Sequence, residues 1–180
     1  QVMGILVAFI AVCVWIYSYS PRAKDKLWWG SLNVAAPRGG LGLLAAYAAF
    51  AWPFHLDILA FALIMGILGF AQAVAKDFGQ DEEADKKFGV RNVVNVYGHR
   101  YAANVIFTCG WAAGGAYALT LLMGLIPIWA GFGILGCVAT ILAAFYTGSP
   151  WRGENNMGWV LTYAGMGIAA LGFVAPQLVV

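Results

Sequence analysis

Long apolar runs alternate with short polar breaks along the whole chain. The runs are Val2–Tyr17, Leu27–Trp52, Ile58–Ala75, Tyr101–Leu125, Ile128–Tyr146 and Trp159–Val180. Crossing about 30 Å of hydrocarbon takes roughly 20 apolar residues in a helix, and all but the first run approach that length. Backbone groups in lipid must be satisfied internally, which leaves helices or a closed barrel. The runs lack the apolar–polar alternation of barrel strands. The pattern therefore predicts an all-α, polytopic transmembrane bundle of about six spans, forming a single domain over residues 1–180.

The breaks fall into two sets. Ser18–Lys26, Lys76–Arg100 and Gly148–Asn156 are charged, whereas Pro53–Asp57 and the turn around Gly124–Pro127 are nearly uncharged. Alternating spans put the three charged breaks on one side. Arg22, Lys24, Lys26, Lys76, Lys86, Lys87, Arg91, Arg100 and Arg152 then share that side, nine of the ten Lys and Arg residues. The excess of cations assigns it to the cytoplasm. His55 and Asp57 read as solvated residues of the opposite surface, His99 and Arg100 as the start of the fourth span, and Glu154, Asn155 and Asn156 as a polar turn.

Composition agrees with lipid as the main solvent. The 180 residues are 62% hydrophobic and 10% charged, with mean hydropathy +0.78, against roughly 25% charged residues in soluble domains. A net charge of +2 with no continuous basic patch argues against nucleic acid as a partner. Cys13, Cys109 and Cys137 are far apart inside apolar runs, without the spacing of a zinc site or a disulfide framework. The chain begins inside an apolar run with no signal-peptide features, so a missing N-terminal portion is expected.

The densest polar chemistry lies between Lys76 and Arg91, which bracket Asp77, Asp81, Glu82, Glu83 and Asp85. Asp77, Asp81 and Asp85 are spaced by four. On a continuous helix they would span an arc of roughly 80° and stand about 6 Å apart along the axis. Two carboxylates at that separation repel by about 3 kcal/mol at an effective dielectric near 20. A hard divalent cation such as Mg²⁺ would offset this, taking one or two carboxylates and keeping sites for water and phosphate oxygens. The bland reading is a solvated, self-neutralising connection of five acids and four bases, and Gly79 weakens a continuous helix.

Two further features sit with the aspartates. The first charged break carries Tyr17, Ser18, Arg22 and Lys24, hydroxyls and cations of the kind a diphosphate requires beyond its metal; alternatively it is a basic loop that only sets topology. Arg38 lies inside the second run, where a charge costs about 2.5–3.5 kcal/mol on insertion scales and by default faces a cavity or a partner.

These landmarks, in this order, resemble the intramembrane aromatic prenyltransferases of the UbiA type, the 4-hydroxybenzoate polyprenyltransferases and their relatives. Tyr17-Ser18-x-x-Pro21-Arg22-x-Lys24 is similar to the family's Tyr-Ser-x-Pro-Pro-x-x-Lys loop. Asp81-x-x-x-Asp85 resembles its second aspartate motif, and Gly89 to Gly98 keeps the nine-residue glycine spacing that follows it. Ser20 stands where the family often has Pro, and Asn92 where it usually has Thr or Ser. One extra residue separates Asp77 from Asp85.

The resemblance implies helices four to nine of a nine-helix fold, the C-terminal part of an enzyme whose first motif, Asn-Asp-x-x-x-Asp, has no counterpart here. Such a part would be inactive by itself. The family's activity is Mg²⁺-dependent transfer of a prenyl group from an isoprenyl diphosphate to a hydrophobic or aromatic acceptor in the membrane. Carried over, Asp81 and Asp85, with Asp77 less firmly placed, would be metal ligands at the reacting centre; Tyr17, Ser18, Arg22, Lys24 and Arg38 would hold the diphosphate. CDP-alcohol phosphotransferases also use membrane aspartates, but their Ala-Arg pair occurs nowhere in the chain. A non-enzymatic cation-binding or transporter segment is the alternative from another class.

Overall fold

The computed structural model describes residues 1–20, 22–77, 80–148 and 157–178, with the side chains at 80, 81, 148, 177 and 178 outside that description. In chain order the helices are α1 (Val2–Ser18), α2 (Trp28–Arg38), α3 (Gly40–Tyr47), α4 (Leu56–Lys76), α5 (Gln80–Lys87), α6 (Val93–Tyr97), α7 (His99–Leu122), α8 (Ile134–Gly148) and α9 (Met157–Leu178). Short 3₁₀ turns occupy Ala23–Asp25 and Ile128–Gly133. No strand occurs among the described residues, so the expected all-helical architecture holds.

Four segments are long and apolar enough to cross a membrane: Leu56–Lys76, His99–Leu122, Ile128–Thr147 and Met157–Pro176. The chain is an integral membrane protein. Val2–Ser18 is apolar but shorter, and the second predicted span is two helices meeting at Gly39 rather than one. Pro37 lacks the N–H that a continuing helix needs, and Gly39 takes φ −107° and ψ −118°. A Cβ on Gly39 would lie 2.5 Å from the Met65 carbonyl oxygen, and one on Gly40 would lie 2.4 Å from that of Ala62. The break is therefore also the point where this segment presses backbone to backbone on α4.

Helix α4 is the hub, 61% buried along its apolar window against 28–39% for the other three long helices. Phe61, Ile64, Met65 and Leu68 of α4 pack with Ala113 and Tyr117 of α7 and with Met166, Ala169 and Phe173 of α9. Towards the other end, Ala71, Val74 and Ala75 pack against Val93, Val94, Ala102, Ile106, Ala143 and Ala144. Leu63, Trp111, Leu119, Leu122 and Leu171 point outward and stay exposed, as expected where the surrounding solvent is hydrocarbon.

Candidate functional site

A pocket opens where the first charged break meets the aspartate-rich segment. Tyr17 at the end of α1, and Lys24 and Leu27 of the following turn, form one wall; Gly30, Ser31 and Val34 of α2 continue it inward. Ala73, Lys76 and Asp77 at the end of α4 face them, and Asp85, Val90 and Asn92 close the third side. A main-chain bond from Leu27 N to Arg91 O at 2.7 Å joins the two walls. Leu27 (φ 45°) and Arg22 (φ 55°) both sit in the left-handed region, which costs a non-glycine residue about 1–3 kcal/mol and clusters at functional sites.

The chain reverses after α5 so that its own downstream residue meets Asp85. Gly89 adopts φ 67° at the turn, a conformation glycine reaches without Cβ strain, and Val90 N donates to Asp85 O at 2.9 Å. Asn92, only 4% exposed, then donates from Nδ2 to Asp85 Oδ2 at 2.8 Å while its Oδ1 accepts from Asn95 N at 2.8 Å. The second bond caps the start of α6. Ser31 is 5% exposed, and its pocket-lining hydroxyl has no hydrogen-bond partner among the described residues.

Helix α5 is held to α7 by Glu82, whose carboxylate meets His99 Nε2 at 2.7 Å and Lys86 Nζ at 2.6 Å. Burial alone would raise the Glu82 pKa, but the hydrogen bonds and charges of Lys86 and His99 outweigh it and hold the group below the ordinary carboxylate value. These contacts turn Glu82 towards α7 and set the roll of the helix that carries Asp81 and Asp85.

Among the sequence-predicted residues, Tyr17, Lys24, Asp77 and Asp85 share the pocket. Ser18 is exposed as the last residue of α1 and does not line it. The Arg22 guanidinium pairs with Asp25 at 3.1 Å with its side chain half exposed. Arg38 stands apart, its Nη1 3.4 Å from Gln72 Oε1 and 3.5 Å from Tyr163 OH. Gly79, the side chain of Asp81 and the turn holding Arg152, Glu154, Asn155 and Asn156 lie outside the described residues. Ser31 and Gln72 are not singled out by the sequence, and Lys76 is named there only as a topology-setting cation at the edge of the acidic segment. Lys76 directly precedes Asp77, and Ser31 and Gln72 are polar residues inside apolar spans, where such residues mark functional positions.

Among the described residues no set of three or more His, Cys, Asp and Glu groups converges to hold a metal ion. Asp77 and Asp85 nevertheless line one pocket with the Ser31 hydroxyl, which has no partner among the described residues. That all-oxygen donor set suits Mg²⁺, which takes one or two carboxylates and fills its remaining positions with water and phosphate oxygens.

The family model described as the UbiA prenyltransferase family matches residues 1–159. No curated protein and no solved structure matches the chain.

Proposed function

Because the chain belongs to the UbiA prenyltransferase family, we propose that it transfers a prenyl group from an isoprenyl diphosphate to a hydrophobic or aromatic acceptor in the membrane, with Mg²⁺. The observation that carries this reading is the meeting of Tyr17 and Lys24 with Asp77 and Asp85 in one pocket at the end of the bundle. Residues some sixty positions apart supply the cations, hydroxyls and carboxylates that a metal–diphosphate needs. In this reading the pocket opens on the cytoplasmic face, since nine of ten Lys and Arg residues fall in the breaks on that side.

Asp81 and Asp85, with Asp77, would hold the Mg²⁺, which supplies charge stabilisation to the diphosphate as it leaves. Lys24 and Lys76 donate to diphosphate oxygens, and the Tyr17 and Ser31 hydroxyls orient them. Ser18 and Arg22 flank the opening and add to its attraction for the anion. Asn92 fixes the Asp85 carboxylate before substrate arrives. The bond between prenyl C1 and the diphosphate oxygen breaks with its electron pair leaving on the diphosphate. An acceptor carbon or oxygen forms the new bond to C1 and gives up its proton. The apolar helix faces beneath the pocket exclude water from the allylic cation.

The test is transfer by the full-length protein in membranes from radiolabelled prenyl diphosphates, with and without Mg²⁺. Activity should require the metal and fall at least a hundredfold in Asp81→Ala and Asp85→Ala. Full activity in both variants would overturn the assignment.

A further inference from the structure

Helix α5 has no apolar anchor on the bundle. It is 8 residues long, and a helix that short is marginal in water by itself. Glu82 and Asp85 tie it to His99 and Asn92, yet none of its described side chains is buried. Phe88, the first large apolar side chain after it, is 75% exposed. A single exposed Phe needs no explanation by itself; the level at which this one sits and its neighbours give it one.

The level follows from α6. Val93 and Val94 are buried against Ala71, Val74 and Ala75 in the last turns of α4, so this stretch sits where a membrane span ends. Tyr97 and Tyr101 pack on each other there with Trp28 beside both, and the two tyrosines are exposed. Exposed Tyr at that depth belongs to the aromatic belt that sits among lipid headgroups. The Leu27–Arg91 main-chain bond and the Glu82–His99 contact hold the turn around Phe88 and the start of α7 to the same rim.

The charges name the lipid. Between Asp85 and Glu154 the sequence has no Asp or Glu, while Lys86, Lys87, Arg91 and Arg100 follow Asp85 closely. Lys86 is taken by Glu82. Lys87, Arg91 and Arg100 are exposed. Among the described residues no carboxylate pairs with any of them, not even Glu83 one turn before Lys87. Unneutralised cations around an exposed phenyl ring match a surface of anionic headgroups over acyl chains. A soluble polyanion would satisfy the cations but leave the ring in water.

We propose that Lys87, Phe88, Arg91 and Arg100 form a docking surface for anionic lipid, with the ring at the acyl boundary and the cations among the headgroup phosphates. The lipid surface then supplies the anchor that α5 lacks and keeps the acidic segment against the bundle. This goes beyond the prenyl-transfer reading and does not depend on it, because the lipid is a surface here, neither donor nor acceptor.

The test is hydrogen exchange of the α5 amides in the full-length protein, in nanodiscs of phosphatidylcholine with and without phosphatidylglycerol, in the absence of prenyl substrates. One cation near an anionic surface is worth roughly a fivefold change in an equilibrium. Protection of α5 should rise at least about fivefold with phosphatidylglycerol, and high salt should remove most of the gain. Lys87→Gln combined with Arg100→Gln should remove most of it as well. Phe88→Ser should lower α5 protection in both lipids, and Phe88→Trp, which suits the interface, should keep it. Amides of α7 around the buried Ile106 should respond neither to lipid nor to these variants. Equal α5 protection with and without phosphatidylglycerol would refute the docking surface. So would a gain of the same size in α7, which would belong to the bundle as a whole. An equal gain from inorganic polyphosphate added to phosphatidylcholine nanodiscs would overturn it too, assigning the cations to a soluble polyanion. None of these measurements involves prenyl transfer, so their failure would leave that reading standing.

Discussion

Asn92 Nδ2 stands 2.8 Å from Asp85 Oδ2, so a neutral amide from beyond the turn fixes one oxygen of a carboxylate that faces the pocket. The same amide caps α6 through its other end, and one side chain thus couples a helix start to the acidic wall.

Removing that coupling separates two effects. Asn92→Ala loses the cap, about 1 kcal/mol, and a hydrogen bond to a charged group, about 1.5–3 kcal/mol. The melting midpoint in detergent should fall, and more Mg²⁺ should be needed for half-maximal activity. Asn92→Ser, which keeps a capping oxygen but has a shorter reach, should recover the midpoint more than the Mg²⁺ requirement. A Mg²⁺ titration of the two variants checks this.

Lys24 and Arg22 should differ although they are near neighbours. Lys24 lines the pocket; Arg22 is half exposed and occupied by Asp25. Lys24→Gln should raise KM for the prenyl diphosphate at least tenfold, as loss of one charge-assisted hydrogen bond of about 1.5–3 kcal/mol requires. Arg22→Gln should change it about twofold or less, as exposed ion pairs are weak. Steady-state kinetics with varied donor decides between them.

Acid should loosen α5 through Glu82. Its folded pKa lies below the ordinary value, so its contribution to docking is complete above the unfolded carboxylate pKa. It is lost as pH falls through the lowered one. Protection of the α5 amides against hydrogen exchange, corrected for the intrinsic rate at each pH, should fall on acidification over that window. Glu82→Gln should exchange fast already at neutral pH and show less change across it.

The close approach at the helix break should be intolerant of one added methyl. Gly40→Ala places a Cβ about 2.4 Å from the Ala62 carbonyl oxygen, and such overpacking costs about 1–3 kcal/mol. Gly4→Ala in α1, where nothing lies within 4 Å, is the control. Thermal unfolding of both in detergent should show a drop only in the first.

Much of the arrangement was legible because lipid imposes long apolar runs and pushes charge to their ends. The joining of Tyr17 and Lys24 with Asp77 and Asp85 followed from counting spans, since alternation brings their loops to one face. The break at Gly39 was not foreseen: a hydropathy run does not register that Pro37 and two glycines end one helix and start another at the same depth. Arg38 was grouped with the diphosphate by its charge. Its partners, Gln72 and Tyr163, lie 34 and 125 residues away, and no local pattern announces them. The Asn92–Asp85 bond depended on the reversal at Gly89, whose spacing was visible while its geometry was not.

The link between Leu27 and Arg91 runs from amide to carbonyl, and that has a consequence for tolerance to change. A main-chain fastening is blind to side-chain identity. The basic turn and the acidic helix keep their register through most changes at positions 27 and 91; the exceptions at 27 are β-branched residues, which φ 45° strains further, and proline, which lacks the N–H and cannot adopt that angle. Side chains at these two positions can therefore change without unfastening the two walls of the pocket.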